Sequence, residues 1–483
     1  MGFHGPPPKE FVIFHHYVKN ACLLTDFYQF TMAQAYFHQG RHDNKAVFHL
    51  FFRRNPFNGN WALVSGINDA LDFVSHFKFD GDSINHLATM KNSRGKPFFS
   101  EEFLSFLSQA KPRLDIASVK DGEIVFPFEP ILRIEGPIFL CQLLETPLLN
   151  IVNFQTLIAT KAARMVDAAQ NKPVVDFGFR RAQGFDGAIS ASKAAFIGGI
   201  RATSNMWASK NFSIPASGTQ GHSFVMSYRK QRDAFLDFAS VFPDDCVVVV
   251  DTFSAMAGID DAVAVFSELK KKGHQPMGLR LDSGDLIQLS RAARTALDRA
   301  GLYDCKIIAS GDLDEYEIAR LEEAKAPIDV YGVGTRLVTA HDDPALGGVY
   351  KLAALEEKGI WRDTFKASTA IGKESWPGPQ TIVRTFHEGK MVSDHIVHPK
   401  DRALAQLTED QKELLGLLMR QGSFATPKQD LLSARADAVK SLAALPAALR
   451  SRSKAPPYPV VFDDAILRKK AQQMRQIAHE DLT

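Results

Sequence analysis

From Pro173 onward the chain repeats one pattern, in which a short apolar run ends in small or charged residues and gives way to a helical stretch. The runs are VVDFGFRR, FIGGIRATSN, CVVVVDTFS, MGLRLDSGD, KIIASGDLD and DVYGVGT. Val247 to Val250 are apolar without alternation, as in a strand covered by helices on both faces. SELKKKG and RAARTALDRAG are typical of crossover helices closed by glycine. Such repeats predict parallel strands, in a closed barrel or an open doubly wound sheet, and we favour an irregular parallel α/β barrel.

The length of 483 residues exceeds the size at which one hydrophobic core usually stops growing, so more than one structural unit is expected. The stretch EIVFPFEPILRIEGPIFLCQLLET, with turn residues between apolar runs, predicts an antiparallel layer in an N-terminal α+β domain over residues 1–172. Apolar residues three and four apart between Ile151 and Met165 predict a helix with one buried face. The barrel is expected over residues 173–350.

Residues 351–483 are expected to form a mixed and helical C-terminal region that packs partly on the N-terminal domain. Alanine and leucine predict helices around QLTEDQKELLGLLMRQ and SARADAVKSLAAL. Prolines at Pro456, Pro457 and Pro459 predict a break before a last basic helix.

Charge and cysteine content exclude several classes of protein. The 57 basic and 55 acidic residues leave a net charge of +2, so no global attraction to nucleic acid or to an anionic membrane is expected. The four cysteines stand far apart, without the spacing of a zinc site or a redox dithiol. No stretch approaches the ~20 apolar residues of a membrane helix, and MGFHGPPPKEFVIFHHYVKN lacks the apolar core of a signal peptide. We therefore expect a cytoplasmic protein that meets any anionic ligand locally.

Polar residues stand just past the ends of the predicted strands. They are Arg180, Asp251, Asp282, Asp312 and Thr335. The carboxyl ends of parallel strands meet at one edge, where ligands bind in both candidate architectures. The sequence therefore predicts a ligand site at this edge.

The segment GTQGHSF, Gly218 to Phe224, places His222 in a glycine-rich loop beside hydroxyl residues. Imidazole can take a phosphoryl group at neutral pH, and glycine lets backbone amides approach a phosphate closely. A lone histidine is, however, more often structural. Both interpretations of His222 remain open from these residues alone.

Two further segments offer groups for an anionic ligand. In LRLDSGDL, Arg280 can hold a carboxylate or pyrophosphate, and Asp282 can accept from ribose hydroxyls or help carry magnesium. The alternative is an aspartate-capped helix start, which is expected for one of Asp282 and Asp285. The segments SGD (Ser310 to Asp312) and GVGT (Gly332 to Thr335) together predict a phosphate cradle of backbone amides and a threonine hydroxyl.

DFGFRRAQG supplies an aromatic ring and two cations. Phe177 can cover a flat ring while Arg180 and Arg181 meet its negative charge, which suits an aromatic acid. Alternatively, Phe177 belongs to the core and one of the arginines forms a surface ion pair.

These segments, in this order, resemble the nicotinate phosphoribosyltransferases, a family within the type II phosphoribosyltransferases. The matching stretches, from Leu23 to Arg384, are LLTDFYQFTMAQAYF, DFGFRRAQGFDGA, GTQGHSF, VDTFSAMAGIDDAV, GLRLDSGDL, YGVGTRLVTAHDDPALGGVYKL, KAS and WPGPQTIVR. The resemblance implies a barrel of the type II kind with an N-terminal α+β domain. It also implies an enzyme that forms nicotinate mononucleotide and pyrophosphate from nicotinate and phosphoribosyl pyrophosphate, coupled to ATP hydrolysis, in the first step of NAD salvage.

The resemblance further implies roles for individual residues. Tyr28 would reach across a homodimer and stack on the pyridine ring opposite Phe177. Arg280 and Thr219 would contact nicotinate, and Asp282 would face the ribose. The 5-phosphate would be held by Thr335, Gly311 and Gly334, and ATP would phosphorylate His222. Arg180, Asp251 and Asp312 would complete the substrate site, and Mg²⁺ would accompany phosphoribosyl pyrophosphate and ATP on ligands that the sequence leaves unassigned.

Substrate choice depends on one position. The related nicotinamide phosphoribosyltransferases carry an aspartate where an approximate alignment places Ser204, and an aspartate would repel a carboxylate substrate. Ser204 therefore favours nicotinate. Two positions depart from the family pattern: Asp176 stands where glutamate is common, and Gly221 stands where alanine is common.

The alternatives are nicotinamide or quinolinate transfer, a nucleotide sensor that has lost catalysis, and an unrelated barrel enzyme such as an aldolase. Quinolinate would need a denser basic pocket, and a sensor predicts decay at His222, Arg280, Asp282 and Thr335, which are all present. An aldolase would need a lysine or a metal cluster at a strand end.

Overall fold

The computed structural model describes residues 20–366 and 375–480, with side chains to residue 476. The predictions for the first nineteen residues, and those for Ala367 and Ser368 of the KAS segment, lie outside the described residues. The chain forms two compact units: one contains Met1–Leu157 and Ala345–Thr483, and the other is Ile158–Pro344. Most of the predicted segment 1–172 and all of 351–483 therefore fall in the first unit.

The elements are given in chain order. Up to residue 168 they are α1 (Phe27–His38), β1 (Lys45–Phe51), β2 (Ala62–Leu63), α2 (Ile67–His76), α3 (Gly81–Thr89), α4 (Glu101–Gln109), β3 (Asp115–Ser118), β4 (Ile124–Val125), β5 (Leu132–Pro137), α5 (Ile138–Leu143) and α6 (Glu145–Ala168). The middle of the chain forms β6 (Val174–Asp176), α7 (Gly184–Ile197), β7 (Ala202–Thr203), α8 (Met206–Phe212), α9 (His222–Met226), α10 (Gln231–Val241), β8 (Val247–Val249), α11 (Ala255–Lys271), β9 (Gly278–Leu281), α12 (Leu286–Arg299), β10 (Lys306–Ala309), α13 (Glu315–Glu323), β11 (Val330–Val333) and α14 (Thr335–Val338). The remainder forms β12 (Val349–Glu357), β13 (Ile360–Asp363), β14 (Thr381–His387), β15 (Lys390–Val397), α15 (Pro399–Leu404), β16 (Gln411–Glu413), β17 (Gly416–Arg420), β18 (Ser423–Phe424), α16 (Leu431–Ala444), α17 (Ala447–Arg450), β19 (Val460–Phe462) and α18 (Asp464–Glu480).

The first unit is built on a seven-stranded sheet in the order β13-β12-β1-β5-β3-β17-β18. All of its pairings are antiparallel. β1 is buried along almost its whole length because β5 and β12 flank it and helices cover it. The antiparallel layer predicted from EIVFPFEPILRIEGPIFLCQLLET is thus confirmed in β4 and β5. A four-stranded sheet, β16-β14-β15-β19, and the pair β2-β4 complete the unit.

The prediction of a helix around QLTEDQKELLGLLMRQ was wrong. This stretch forms β16 and β17, which pair antiparallel with β14 and β3 respectively. Pairing with partners far away in the sequence outweighs the helical preference of leucine, and Gly422, at φ +78°, turns the chain after β17. The helices predicted at SARADAVKSLAAL and at the basic C-terminal stretch are confirmed as α16 and α18.

The second unit is a six-stranded parallel sheet in the order β7-β6-β11-β10-β9-β8. Each predicted run contributes a strand, although Phe196 and Ile197 of FIGGIRATSN belong to the end of α7. Within the described residues β7 and β8 lie at opposite ends of the order, so the sheet is a half-barrel. The predicted parallel α/β class is confirmed.

The helix predicted around Ile151 to Met165 is confirmed as α6, but its burial is not limited to one face. Every residue from Gln155 to Met165 is buried, including Lys161 and Arg164. Burial of these cations is possible because Glu315 forms an ion pair with each, with Oε2 2.6 Å from Lys161 Nζ and Oε1 2.8 Å from Arg164 Nε. Both pairs lie in the second unit, where they fix the start of α13.

A buried charge cluster fixes the WPGPQTIVR segment in the first unit. The guanidinium of Arg384 is fully buried and donates to Asp394 at 2.6 and 2.8 Å and to Glu123 at 2.9 Å. Burial, with the charge of Asp394, raises the pKa of nearby Glu129 well above its usual range. Arg384 thus joins β14, β15 and the segment that contains β4 into one core.

Over the described ranges, no helix combines the length and the apolar character that crossing a membrane requires.

His49 gives the first unit a pH-dependent stability. It is buried in β1, and burial lowers the pKa of His49 to about 3. The unfolded chain takes up this proton near pH 6.5, so stability should fall as pH drops below about 6.5, by at most about 1.4 kcal/mol per pH unit from this site. The free energy of unfolding of His49→Gln, measured with denaturant between pH 7.5 and pH 5, should fall less steeply with falling pH than that of wild type. The difference in slope should approach about 1.4 kcal/mol per pH unit. An exposed histidine on α3, His86, supplies the matched control, His86→Gln. Equal slopes in wild type and His49→Gln would contradict this account.

Candidate active site

A cleft of about 720 Å³ opens at the carboxyl edge of the parallel sheet in the second unit. The predicted site residues among those that line it are Phe177, Arg180, Thr219, Arg280, Asp282, Gly311, Asp312, Gly334 and Thr335. Most of them lie at or just after the ends of β6, β9, β10 and β11, which meet here because parallel strands end at one edge, and Thr219 comes from the loop between α8 and α9. The cleft is also lined by Phe179, Arg181, Ser204, Gly218, Gln220, Gly221, Ser310, Gly332 and Val333.

His222 lies beside the cleft, at the start of α9. Its Nε2 is 3.3 Å from Asp282 Oδ2, and its Nδ1 is 3.0 Å from Thr252 Oγ1. On the other side of the same carboxylate, Arg280 Nε is 3.9 Å from Asp282 Oδ1. His222 and Arg280 therefore share Asp282 as a neighbour, as the prediction of loops gathered on one edge requires.

Asp282 is held as a carboxylate. Burial alone would raise the pKa of Asp282, but the hydroxyl of Ser310, which donates to Oδ1, and the charge of Arg280 outweigh burial and hold the pKa below its usual range. The backbone N–H of Asp282 donates to Asp251 Oδ2 at 2.9 Å. Asp282 therefore presents a fixed negative charge beside the cleft.

Asp251 supports the turn that contains Asp282. It is not among the residues that line the cleft. Its Oδ2 also accepts from Ser283 Oγ at 2.6 Å, while its Oδ1 is buried and finds no hydrogen-bond partner among the described residues.

Asp285 caps α12, where its Oδ1 accepts from the backbone N–H groups of Ile287 and Gln288. The sequence expectation that one of the two aspartates in LRLDSGDL is a helix cap is thus confirmed for Asp285.

Arg280 is a largely buried cation with an unused donor. Its Nη1 donates to Thr219 Oγ1 at 2.8 Å, and its buried Nε finds no hydrogen-bond acceptor in the described part of the chain. Burial lowers the pKa of Arg280, against the opposing charges of Asp282 and Asp251, and an arginine remains protonated near neutral pH. Such a group can hold a negatively charged ligand in the cleft.

Phe177 lies against Gly332, where a Cβ atom would come 2.6 Å from the phenylalanine ring. The missing side chain at Gly332 makes room for the ring in the wall of the cleft. Before it, buried Asp176 accepts from Gly178 N at 2.8 Å and from Thr203 Oγ1 at 2.8 Å. Burial raises the pKa of Asp176 despite these hydrogen bonds. This aspartate, one of the two departures from the family pattern, thus fixes the loop that carries Phe177.

The sequence alone gave no role to Gln220 or Thr252. Gln220 is buried, lines the cleft, and has both amide atoms without a hydrogen-bond partner among the described residues. Thr252 is the partner of His222 Nδ1. Their positions in GTQGHSF and VDTFS are sequence signals, but only coordinates show what each side chain faces.

Tyr28 belongs to the first unit. It lies on α1 with 48% of its surface exposed, beside Phe27, which is 47% exposed. Its role opposite Phe177 across a homodimer stays a prediction.

Gly311 offers a direct test of the loop packing that sets the site. Its φ is +100°, and a Cβ atom would lie 2.1 Å from the carbonyl oxygen of Asp282. Gly311→Ala should therefore lower the free energy of unfolding by about 3 kcal/mol, since backbone strain and overpacking add. Gly273 has a φ of +89° and open space around it, so Gly273→Ala should cost only about 1 kcal/mol from strain. Equal denaturation midpoints for the two variants would rule out the close approach of Gly311 to Asp282.

The comparisons with known proteins agree with this geometry. The model of the nicotinate phosphoribosyltransferase (NAPRTase) N-terminal domain matches residues 23–153, and that of the nicotinate phosphoribosyltransferase family matches residues 173–387. The chain is 38% identical to a nicotinate phosphoribosyltransferase of Bacillus subtilis (strain 168), covering 94% of this chain and 95% of that relative. It is 31% identical to one of Bos taurus, with 92% and 95% covered. The crystal structure of human nicotinic acid phosphoribosyltransferase is similar with a TM-score of 0.78 and 27% identity, covering 92% of this chain and 98% of that one. This chain therefore belongs to the nicotinate phosphoribosyltransferase family.

Proposed function

We propose that this enzyme joins nicotinate to phosphoribosyl pyrophosphate, releases pyrophosphate, and couples the reaction to ATP through a phosphohistidine at His222. The observation that carries the proposal is the arrangement around Asp282, with a largely buried arginine on one side and a histidine on the other. This arrangement adjoins a cleft whose wall contains an aromatic ring, glycine loops and a threonine.

The pyridine acid is assigned to the part of the cleft formed by Phe177, Arg180 and Arg280. Phe177 offers a flat face, and the unused donor of Arg280 suits a carboxylate or pyrophosphate oxygen. Ser204 lines the same cleft and carries no charge that would repel nicotinate.

The sugar phosphate is assigned to Gly311, Gly334 and Thr335, with Asp282 and Asp312 toward the ribose hydroxyls. As pyrophosphate leaves the anomeric carbon, positive charge develops on the ribose and negative charge on the leaving group. Asp282 stabilises the first and Arg280 the second. Because both side chains are fixed by neighbours before the reaction, Arg280 by Thr219 and Asp282 by Ser310, little reorganisation is needed.

We further propose that Mg²⁺ accompanies the phosphates. In the described part of the chain, no group of three or more metal-binding side chains forms a metal site. Magnesium in phosphate chemistry usually takes one or two carboxylates and completes its shell with substrate and water. Asp282 and the unpartnered Oδ1 of Asp251 fit this need, and the ion would neutralise charge on the pyrophosphate.

A phosphoryl group on His222 would add close to two negative charges to the loop that also carries Thr219, the partner of Arg280. Ordering of this loop by the new charge would tighten substrate binding and favour product. Four unpaired, buried cysteines suit the reducing cytoplasm that we propose for the enzyme.

A second copy of the chain is proposed to complete the site. Large apolar side chains are exposed on the loops and helix starts after β6, β7 and β8, with Phe185 78%, Met206 70% and Phe253 61% exposed. We take these side chains, which follow strands at the carboxyl edge of the sheet, as part of the proposed interface. In the proposed homodimer, Tyr28 of one subunit stacks on nicotinate opposite Phe177 of the other.

The coupling is tested with purified enzyme, phosphoribosyl pyrophosphate, Mg²⁺, and nicotinate or nicotinamide, with and without ATP. Nicotinate should be the better substrate, and ATP should increase the rate. His222→Ala should lose ATP hydrolysis and ATP stimulation and retain only slow transfer. His274→Ala is the control, since His274 lies before β9 at the opposite edge of the sheet. ATP hydrolysis that continues in step with product in His222→Ala would refute the phosphohistidine.

The shared site is tested by complementation. Tyr28→Ala and Arg280→Ala should each be nearly inactive as pure homodimers. A purified heterodimer of the two has one site with both substitutions and one intact site, so it should regain up to about half of wild-type activity. Absence of any recovery in a verified heterodimer would argue against sites built from two subunits.

A further inference from the structure

We propose that Thr252 is a positioning residue that holds the imidazole ring of His222 in the orientation needed to attack ATP. The proposal rests on the proposed phosphohistidine and extends it to a residue outside the cleft lining. Its basis is the pair of contacts on the imidazole ring, 3.0 Å from Nδ1 to Thr252 Oγ1 and 3.3 Å from Nε2 to Asp282 Oδ2.

These two partners are chemically unequal, and the difference sets the tautomer. The carboxylate of Asp282 accepts hydrogen bonds, so the imidazole nitrogen that faces it at 3.3 Å carries the proton. In a neutral imidazole the lone pair is then on Nδ1. The hydroxyl of Thr252 can donate, and it donates into that lone pair.

The two contacts also fix the plane of the ring. Thr252 follows β8 and Asp282 follows β9, neighbouring parallel strands whose ends are held in register. His222 itself is on a short helix after a glycine-rich loop, and its side chain is 39% exposed. Without Thr252 one strand-anchored contact would remain, and the ring could turn about it.

In the proposed phosphoryl step, His222 takes the γ-phosphoryl group of ATP. The Nδ1 lone pair forms the N–P bond to the γ-phosphorus of ATP, the bond from that phosphorus to the β–γ bridging oxygen breaks, and ADP leaves with the electron pair. The Nε2 proton stays directed at Asp282. The hydrogen bond from the Thr252 hydroxyl to Nδ1 breaks. The hydroxyl can then donate to an oxygen of the transferred phosphoryl group.

Two matched variants separate the hydroxyl from the methyl group of Thr252. Thr252→Val keeps the shape and removes the hydroxyl, whereas Thr252→Ser keeps the hydroxyl. In single-turnover labelling with γ-³²P-ATP, Thr252→Val should phosphorylate at least about tenfold more slowly, the value of one lost hydrogen bond. Thr252→Ser should stay within about twofold of wild type, and the half-saturating ATP concentration should change little in both. A wild-type rate in Thr252→Val, or equally slow rates in both variants, would overturn the proposal.

Controls distinguish this proposal from the phosphohistidine itself. If His222→Ala still takes the acid-labile label, the proposed phosphohistidine fails. If the label is on His222 and Thr252→Val is as fast as wild type, only the role of Thr252 fails.

An ATP-independent measurement uses ¹⁵N-histidine NMR at pH 8, with the His222 signals assigned from the His222→Ala spectrum. Wild type should show Nε2 protonated and a hydrogen-bonded Nδ1, and Thr252→Val should shift the Nδ1 signal. An unshifted Nδ1 signal would overturn the proposal even without ATP.

Discussion

The ionised carboxylate of Asp282 is the interaction on which the site depends. Arg280 and His222 approach it from two sides, and Ser310 donates to it from the loop after β10. A partly buried charge is stable only when paired and hydrogen-bonded, so these neighbours and the carboxylate hold one another in place. The backbone of the same residue is fixed by Asp251 from the loop after β8. One residue, through its side chain and its backbone, thus joins the loops of three neighbouring strands and the GTQGHSF loop.

This arrangement is possible because the backbones approach very closely. The carbonyl of Asp282 occupies the space that a side chain at residue 311 would fill, and only glycine fits there at φ +100°. At the next strand, Gly332 leaves room for the ring of Phe177. Glycine therefore has a second function at this edge besides forming turns: it sets the distance between loops and so the width of the cleft.

The sequence predicts those parts of the protein that depend on local pattern. The parallel strands could be recognised because each run is short, apolar and followed by a helical stretch. Asp282, Asp312 and Thr335 could be expected at the cleft because each comes shortly after a strand. The contacts of Thr252 and the unpartnered amide of Gln220 could not be predicted, since they depend on side-chain directions set by tertiary packing. The mistaken helix at QLTEDQKELLGLLMRQ has the same cause, because β17 is stabilised by β3, about 300 residues earlier in the chain.

The placement of the GTQGHSF loop explains how a phosphoryl group could act on substrate binding. Thr219, near its start, accepts from Arg280, and His222, near its end, contacts Asp282. The two ends of the loop thus contact the cation near the end of β9, Arg280, and the anion that follows it, Asp282. Negative charge added at His222 would repel Asp282 and attract Arg280. Both effects would change how strongly Arg280 binds a carboxylate or pyrophosphate. In the proposed mechanism, energy from ATP would therefore reach the substrate site through this one short loop.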